Sequence, residues 1–174
     1  MKTEYLLQEQ VERVLSLLTP VNRLVMRVAL STGLRVSDIL ALKKSDIDKG
    51  QQFWITEQKT GKRRKVVLQR QLWSELKAQA DAKWVFPNRC AADRHRTRQS
   101  VWKDIKRAQK ALRLPQNAGC HSARKVYAVE LMRKYGDIER VKRALNHDRP
   151  ATTMIYAMAD SLMEAKHRKP RRGR

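Results

Sequence analysis

The hydrophobic spacing of this chain changes period once, and that change limits the folds open to it. Leu7, Val11, Val14, Leu15 and Leu18 fall on one stripe, and Val21, Leu24, Val25, Val28 and Ala29 on the next. Recurrence at three and four is the mark of amphipathic helices. From Phe53 the period becomes two: Phe53-Trp54-Ile55-Thr56, then Lys65-Val66-Val67-Leu68, about a basic turn, Lys59-Thr60-Gly61-Lys62-Arg63-Arg64. Two such runs around a glycine-containing turn read as a β-hairpin or short meander. Helical spacing then returns in Leu72, Leu76 and Ala80, in Val101, Ile105, Ala108 and Leu112, in Val126, Val129 and Met132, and in Ile138, Val141 and Leu145. The fold class expected is mainly α with a small antiparallel β-sheet or hairpin.

Boundary residues refine this outline. Thr19 reads as the cap of the second helix with Pro20 at its first position, and Gly33 as its stop. Ser37 reads as the N-cap of a short helix carrying Ile39, Leu40 and Leu42. Thr97 and Asp137 are caps for later helices, and Gly136 ends the helix that begins near His121. Trp84-Val85-Phe86-Pro87 is an apolar knot that belongs to the core. Residues 88–98 read as a polar, basic loop near a nucleic acid, with His95 a surface side chain.

Charge bounds the partner. Lys and Arg number 39 against 17 Asp and Glu, a net +22 over 174 residues. That excess does not suit an enzyme acting on a neutral metabolite; it calls for DNA, RNA or an anionic membrane. The membrane is the weakest of the three, because no apolar run approaches the ~20 residues a spanning helix needs. Nor does the stretch from Met1 to Gln10 have a signal-peptide pattern. Cys90 and Cys120 form neither a CxxC pair nor a Cys/His quartet, so structural zinc and a disulfide framework are not expected. The basic stretch 166–174 reads as a disordered tail that binds a polyanion electrostatically.

Side chains fit for phosphate chemistry gather between Cys120 and Tyr156. His121 and Arg124 lie one helical turn apart and share a face. His147 follows in Leu145-Asn146-His147, and Tyr156 comes later. Arg clamps phosphate oxygens through two parallel donors. His moves protons near neutral pH, and Tyr attacks once deprotonated. Upstream, Arg35 sits in the turn between Gly33 and Ser37, Asp38 in a first helical turn, and Lys59 at the start of the basic turn. Each has a plainer reading: a solvated loop arginine, a capping carboxylate, a lysine touching phosphates nonspecifically, and a basic helix pair with scattered polar tips.

Taken in chain order, Thr32-Gly33-Leu34-Arg35-Val36-Ser37-Asp38-Ile39-Leu40-Ala41-Leu42, Lys59-Thr60-Gly61-Lys62, His121-Ser122-Ala123-Arg124, Leu145-Asn146-His147 and Tyr156 resemble the catalytic domain of the tyrosine recombinases, the phage integrase family. The likeness runs from the first helix to just past Tyr156. It implies that Arg35 and Arg124 clamp the phosphate, that Lys59 is a general acid, and that His121 assists proton removal. By the same resemblance His147 is a second phosphate contact, Tyr156 the nucleophile, and Asp38 a support. Asn146 stands where the family commonly has Gly, which predicts an altered local turn.

The resemblance also implies a tyrosine recombinase catalytic-domain fold over 1–165, with the family's usual N-terminal DNA-binding domain absent ahead of Met1. It implies site-specific cutting and rejoining of DNA through a 3′-phosphotyrosyl link, without metal or cofactor, in the cytoplasm. Double-stranded DNA is the implied partner, gripped by a homotetramer that is monomeric off DNA, with room for accessory DNA-bending proteins. Lys62, Arg63, Arg64, Arg94, Arg96 and Arg98 are the expected further DNA contacts. Two other readings stay open: a type IB-like topoisomerase, which shares the chemistry, and a DNA- or RNA-binding module in which these residues are structural.

Overall fold

A computed structural model of the chain describes residues 3–146. His147, Tyr156 and the basic stretch 166–174 lie outside the described residues. The chain falls into two compact units, Met1–Tyr127 and Ala128–Arg174.

In the first unit α1 (Gln8–Leu17) and α2 (Pro20–Thr32) are followed by the short helices α3 (Val36–Leu40) and α4 (Lys44–Ile47). A hairpin, β1 (Gln52–Thr56) and β2 (Arg63–Val67), leads into α5 (Arg70–Gln79). A second ribbon, β3 (Pro87–Asn88) and β4 (Ala91–His95), precedes α6 (Arg98–Ala111). Helix α7 (Ser122–Tyr135) runs across the unit boundary, and α8 (Ile138–Leu145) belongs to the second unit. The expected class, mainly helical with a small antiparallel sheet, is the class observed. The apolar stripes read from the sequence supply much of the core, with Val25, Val28, Ala29, Ile39, Leu76 and Val101 fully buried; Phe86 of the apolar knot and Ile47 of α4 join them.

Two local expectations are corrected. Residues 88–98 are not simply a loop: Pro87 pairs with His95 and Asn88 with Ala91 in the second ribbon. It is held by main-chain and edge contacts that leave no alternation to read. Arg96 N donates to Phe86 O at 2.7 Å, Trp84 Nε1 donates to Asp93 O at 3.1 Å, and the Trp84 and His95 rings meet edge to face. At α3 the N-cap is Arg35 rather than Ser37, and its carbonyl accepts from Asp38 N and Ile39 N at 3.0 and 3.1 Å. Thr19 is the N-cap residue of α2 as expected, with Pro20 at the first position, but its hydroxyl makes no capping bond.

That hydroxyl is engaged by Asp104 of α6. Thr19 N and Oγ1 donate to Asp104 Oδ2 at 2.9 and 2.8 Å, and Asn22 Nδ2 donates to the same oxygen at 2.7 Å. A carboxylate at the end of a helix satisfies donors that have no intrahelical partner and suits the dipole. Burial alone raises the Asp104 carboxyl, but the bonds from Asn22, Arg107 and Thr19 outweigh it and bring it down to about 2. Because the folded value lies below the ordinary 3.8, this stabilisation is complete above that value and is lost as pH falls toward 2. Asp104→Ala is expected to lower stability by about 2–4 kcal/mol, the loss of a cap together with buried donors left unpaired. Urea midpoints measured between pH 2 and 7 check this: the gap between wild type and variant should close at the acid end.

The segment before α1 fastens the start of α7. Glu4 N donates to Asn117 O at 3.0 Å, Ser122 Oγ to Glu4 O at 2.7 Å, and Lys125 Nζ to Thr3 O at 2.5 Å. In the second unit Asp137 caps α8, accepting from Glu139 N and Arg140 N at 2.8 and 3.1 Å. Gly136, at φ 63°, ends α7 as expected. Asn146 closes α8 in the left-handed region, φ 54° and ψ 42°, so the position adopts a glycine-like turn with an asparagine in it.

Candidate active site

The site is built around one glycine. Gly33 ends α2 at φ 65°, where a side chain is strained, and its N–H donates to Ala29 O at 2.8 Å. The Tyr127 ring covers it so closely that a Cβ there would stand 2.3 Å from Tyr127 Cδ1. Leu34, the next residue, is buried. Arg35 therefore leaves a turn fixed on both sides, by the end of α2 and the start of α3. Arg124, on α7 and only 3% exposed, reaches the same turn: its Nη1 donates to Gly33 O at 2.5 Å. The two arginines expected to share a site are thus held by one stretch of backbone.

Arg35 Nη1 donates to Glu57 Oε2 at 2.5 Å and lies 3.9 Å from Asp38 Oδ2. Its Nε and Nη2 make no hydrogen bond among the described residues, which leaves the paired-donor edge of the guanidinium unspent. Asp38 is buried, and its Oδ1 accepts from Gln58 N at 3.0 Å. Burial pushes the Asp38 carboxyl above its ordinary value; the Gln58 N–H opposes this, and the charge of Glu57 adds to it.

Glu57 was missed by the sequence reading. Its signal was present, since the alternation that buries Phe53 and Ile55 puts Glu57 on the same face of the ribbon. It is fully buried and also accepts from Thr60 Oγ1 at 2.9 Å and Arg64 Nη1 at 3.5 Å. Burial by itself raises this carboxyl, but the bonds from Arg35 and Thr60 and the charges of Arg35 and Arg64 more than reverse that and hold it below the ordinary range.

Lys59 is exposed in the turn between β1 and β2, which is closed by Glu57 N to Lys62 O at 3.0 Å and Gly61 N to Glu57 O at 2.8 Å. His121 stands just ahead of α7, where its carbonyl accepts from Lys125 N at 3.1 Å. Partial removal from water pushes the His121 imidazole down from its ordinary value. The positive charges of Arg98, Arg124, Arg35 and Lys59 push in the same direction. Held below its ordinary value, the ring is neutral at neutral pH and keeps a nitrogen lone pair for a donor, while the surrounding cations lower its affinity for a full proton. The structure therefore brings Arg35, Asp38, Lys59, His121 and Arg124 together within the first unit.

The six further basic residues divide. Lys62, Arg63, Arg94 and Arg98 are exposed, and Arg63 lies 5.2 Å over the exposed Trp54 ring. Arg64 and Arg96 are half-buried and turn donors inward. The register Ile55↔Arg64 puts Arg64 on the inner face of the ribbon, where its Nη2 donates to Thr32 O and its Nη1 reaches Glu57. Arg96 Nε donates to Asn22 Oδ1 at 2.7 Å. Among the described residues no three His, Cys, Asp or Glu side chains cluster as metal ligands would, and no helix is long and apolar enough to cross a membrane.

Arg35 and Arg124 thus meet at the Gly33 turn, and the His121 imidazole feels the charges of both and of Lys59. Comparison with known proteins bears on the fold and the family. The chain is 28% identical over 135 residues to the probable integrase/recombinase YoeC of Bacillus subtilis (strain 168), covering 75% of this chain and 74% of that protein. It is 30% identical over 166 residues to tyrosine recombinase XerA of Thermococcus kodakarensis, covering 87% of this chain but 56% of XerA. A crystal structure of the XerH site-specific recombinase in a post-cleavage complex with its palindromic difH substrate superposes with a TM-score of 0.73. Its identity is 23%, over 94% of this chain and 52% of XerH. The chain thus spans about half the length of XerA and XerH, and the XerH fold agrees with its own. The sequence model of the phage integrase family matches residues 4–162, and with that span covering the turn of Gly33, the β1–β2 hairpin and the start of α7, the chain belongs to the phage integrase family.

Proposed function

We propose that this chain is a site-specific DNA recombinase that cuts and rejoins strands through a 3′-phosphotyrosyl intermediate on Tyr156. The observation that carries the reading is the shared anchor of Arg35 and Arg124 at the Gly33 turn, which aims two guanidiniums from distant parts of the sequence at one place. The net charge of +22 supports double-stranded DNA as substrate, and so does the nature of the relatives. Reciprocal exchange between two duplexes breaks four strands, so the working assembly is a homotetramer spanning two DNAs.

The Tyr156 hydroxyl attacks a backbone phosphorus; the phosphorus–O5′ bond breaks, leaving a phosphotyrosyl ester and a free 5′-hydroxyl. Attack by another 5′-hydroxyl reverses the step. A phenol with pKa about 10 is ionised in roughly one molecule in a thousand at neutral pH, so a base is needed, and the neutral His121 ring takes the proton. The unspent Nε–Nη2 edge of Arg35, Arg124 and His147 stabilise charge on the nonbridging oxygens. Lys59, on an exposed turn, gives a proton to the departing 5′-oxygen.

The test is a nicked duplex pool of random sequence, followed by denaturation in detergent. A protein–DNA adduct that survives, and whose peptide map places the DNA on Tyr156, is the expected result; no adduct, or one on another residue, overturns the reading. Lys59→Ala should slow cleavage about 10²-fold or more. A duplex with sulfur in place of the leaving 5′-oxygen should restore its rate, because a thiol of pKa about 8.5 departs without a donated proton. Failure of that rescue removes the general-acid role.

A further inference from the structure

We infer that Glu57 is a positioning residue for the DNA-cleaving centre: it grips Arg35 by Nη1 so that the Nε–Nη2 edge faces the scissile phosphate, and through Thr60 it ties the Lys59 turn to the same point. The inference rests on the proposed strand-cleaving function and adds to it a residue that the sequence pattern left unassigned.

The argument begins with the strand. Phe53 and Ile55 lie on the inner face of β1, and Glu57, one residue past the strand, continues that face; all three are buried. Packing alone asks for a third apolar side chain there, since an unpaired buried carboxylate is strongly unfavourable. What makes Glu57 tolerable is its donor set: Arg35 Nη1 at 2.5 Å, Thr60 Oγ1 at 2.9 Å and Arg64 Nη1 at 3.5 Å. Those three donors come from three different working parts. Arg35 is a proposed phosphate clamp. Thr60 adjoins Lys59 in the turn. Arg64 donates through its other nitrogen to Thr32 O, immediately before Gly33.

Asp38 does not fill the same role. It stands 3.9 Å from Arg35 Nη1, against 2.5 Å for Glu57. Its Oδ2 is buried with no hydrogen bond. Of the two carboxyls, Glu57 is the one its surroundings keep ionised, while burial favours the protonated form of Asp38. A guanidinium held at one corner by a fixed carboxylate cannot swing, and its opposite edge keeps two parallel donors for a phosphate.

The experiment uses the full chain with Glu57→Gln, which keeps the side chain's size and an acceptor for Thr60 but removes the charge, and with Glu57→Asp, which keeps the charge and shortens the reach. Single-turnover cleavage at saturating DNA should fall about 10- to 100-fold in Glu57→Gln, the loss that displacing a reacting group by about 1 Å brings. DNA affinity should stay within about twofold, and Glu57→Asp should fall between. Nitrogen-15 spectra of the Arg35 side chain supply a readout that does not depend on activity. Hindered rotation should give two separate Nη signals in the wild type and one averaged signal in Glu57→Gln. Separate signals that persist in Glu57→Gln, or cleavage within about twofold of wild type, overturn the inference. A wild type that forms no adduct on any DNA overturns the proposed function instead, and the Arg35 signals then decide alone whether Glu57 grips the guanidinium.

Discussion

Arg124→Lys is expected to slow single-turnover DNA cleavage about 10³-fold, the scale of removing a preorganised cation from a transferring phosphoryl group. Lysine retains the charge and much of the aliphatic stem but has no planar fork, so it cannot hold Gly33 O in fixed geometry and still offer a phosphate two parallel donors. The loss should appear in the cleavage step, with binding little changed, since most of the +22 charge lies elsewhere. Arg35→Lys should behave alike, and the double variant should lose less than the product of the two, because both guanidiniums bear on one turn and one phosphate. Rapid-quench cleavage on the nicked duplex, with DNA affinity measured in parallel, checks all three. A tenfold or smaller effect of Arg124→Lys would separate that residue from the reacting phosphate.

Gly33→Ala should cost about 2–5 kcal/mol of stability. Holding alanine in the left-handed region contributes about 1–2 kcal/mol, and overlap with a packed ring adds about 1–3 kcal/mol. The overlap is severe, since the new Cβ would stand 2.3 Å from Tyr127 Cδ1. Relief requires either the ring or the turn to move. If the turn moves, the carbonyl that orients Arg124 and the backbone that launches Arg35 move with it, so cleavage should fail even where the protein still folds. Gly61 is the control. It too has positive φ, 66°, but nothing lies within 4 Å of a Cβ there, so Gly61→Ala should show only the backbone strain. Urea unfolding of both variants decides the matter: equal losses would mean that the Tyr127 ring does not constrain the turn.

The difference between these two glycines bears on how far the sequence could be read. Arg35, Lys59, His121 and Arg124 were legible because their neighbours form short motifs in a fixed order, and each motif sits where a change of period marks a helix end or a turn. Asp104 was not legible as the cap of α2, because its partners Thr19 and Asn22 lie more than eighty positions away and no local pattern links them. Ser37 was favoured at α3 by propensity, yet the chain turns two residues earlier, where the Gly33 geometry leaves Arg35 extended. Arg64 and Arg96 look like any other basic residue until the strand register and a neighbouring helix give them inward partners. Glu57 does carry a signal: the alternation of Phe53 and Ile55 continues to it, and a charged residue in step with buried apolar ones needs a partner.

Residues Thr3 to Leu6 have a practical bearing on work with this protein. Thr3 and Glu4 supply the carbonyls that hold Lys125 and Ser122, one on either side of Arg124 along α7. An affinity tag joined close to Thr3, or a shortened version starting at α1, would loosen the helix that carries a proposed phosphate ligand without touching that ligand. Activity compared between differently engineered versions would then report the state of this seam as much as the competence of the reaction centre, so the tether belongs with the catalytic machinery when boundaries are chosen.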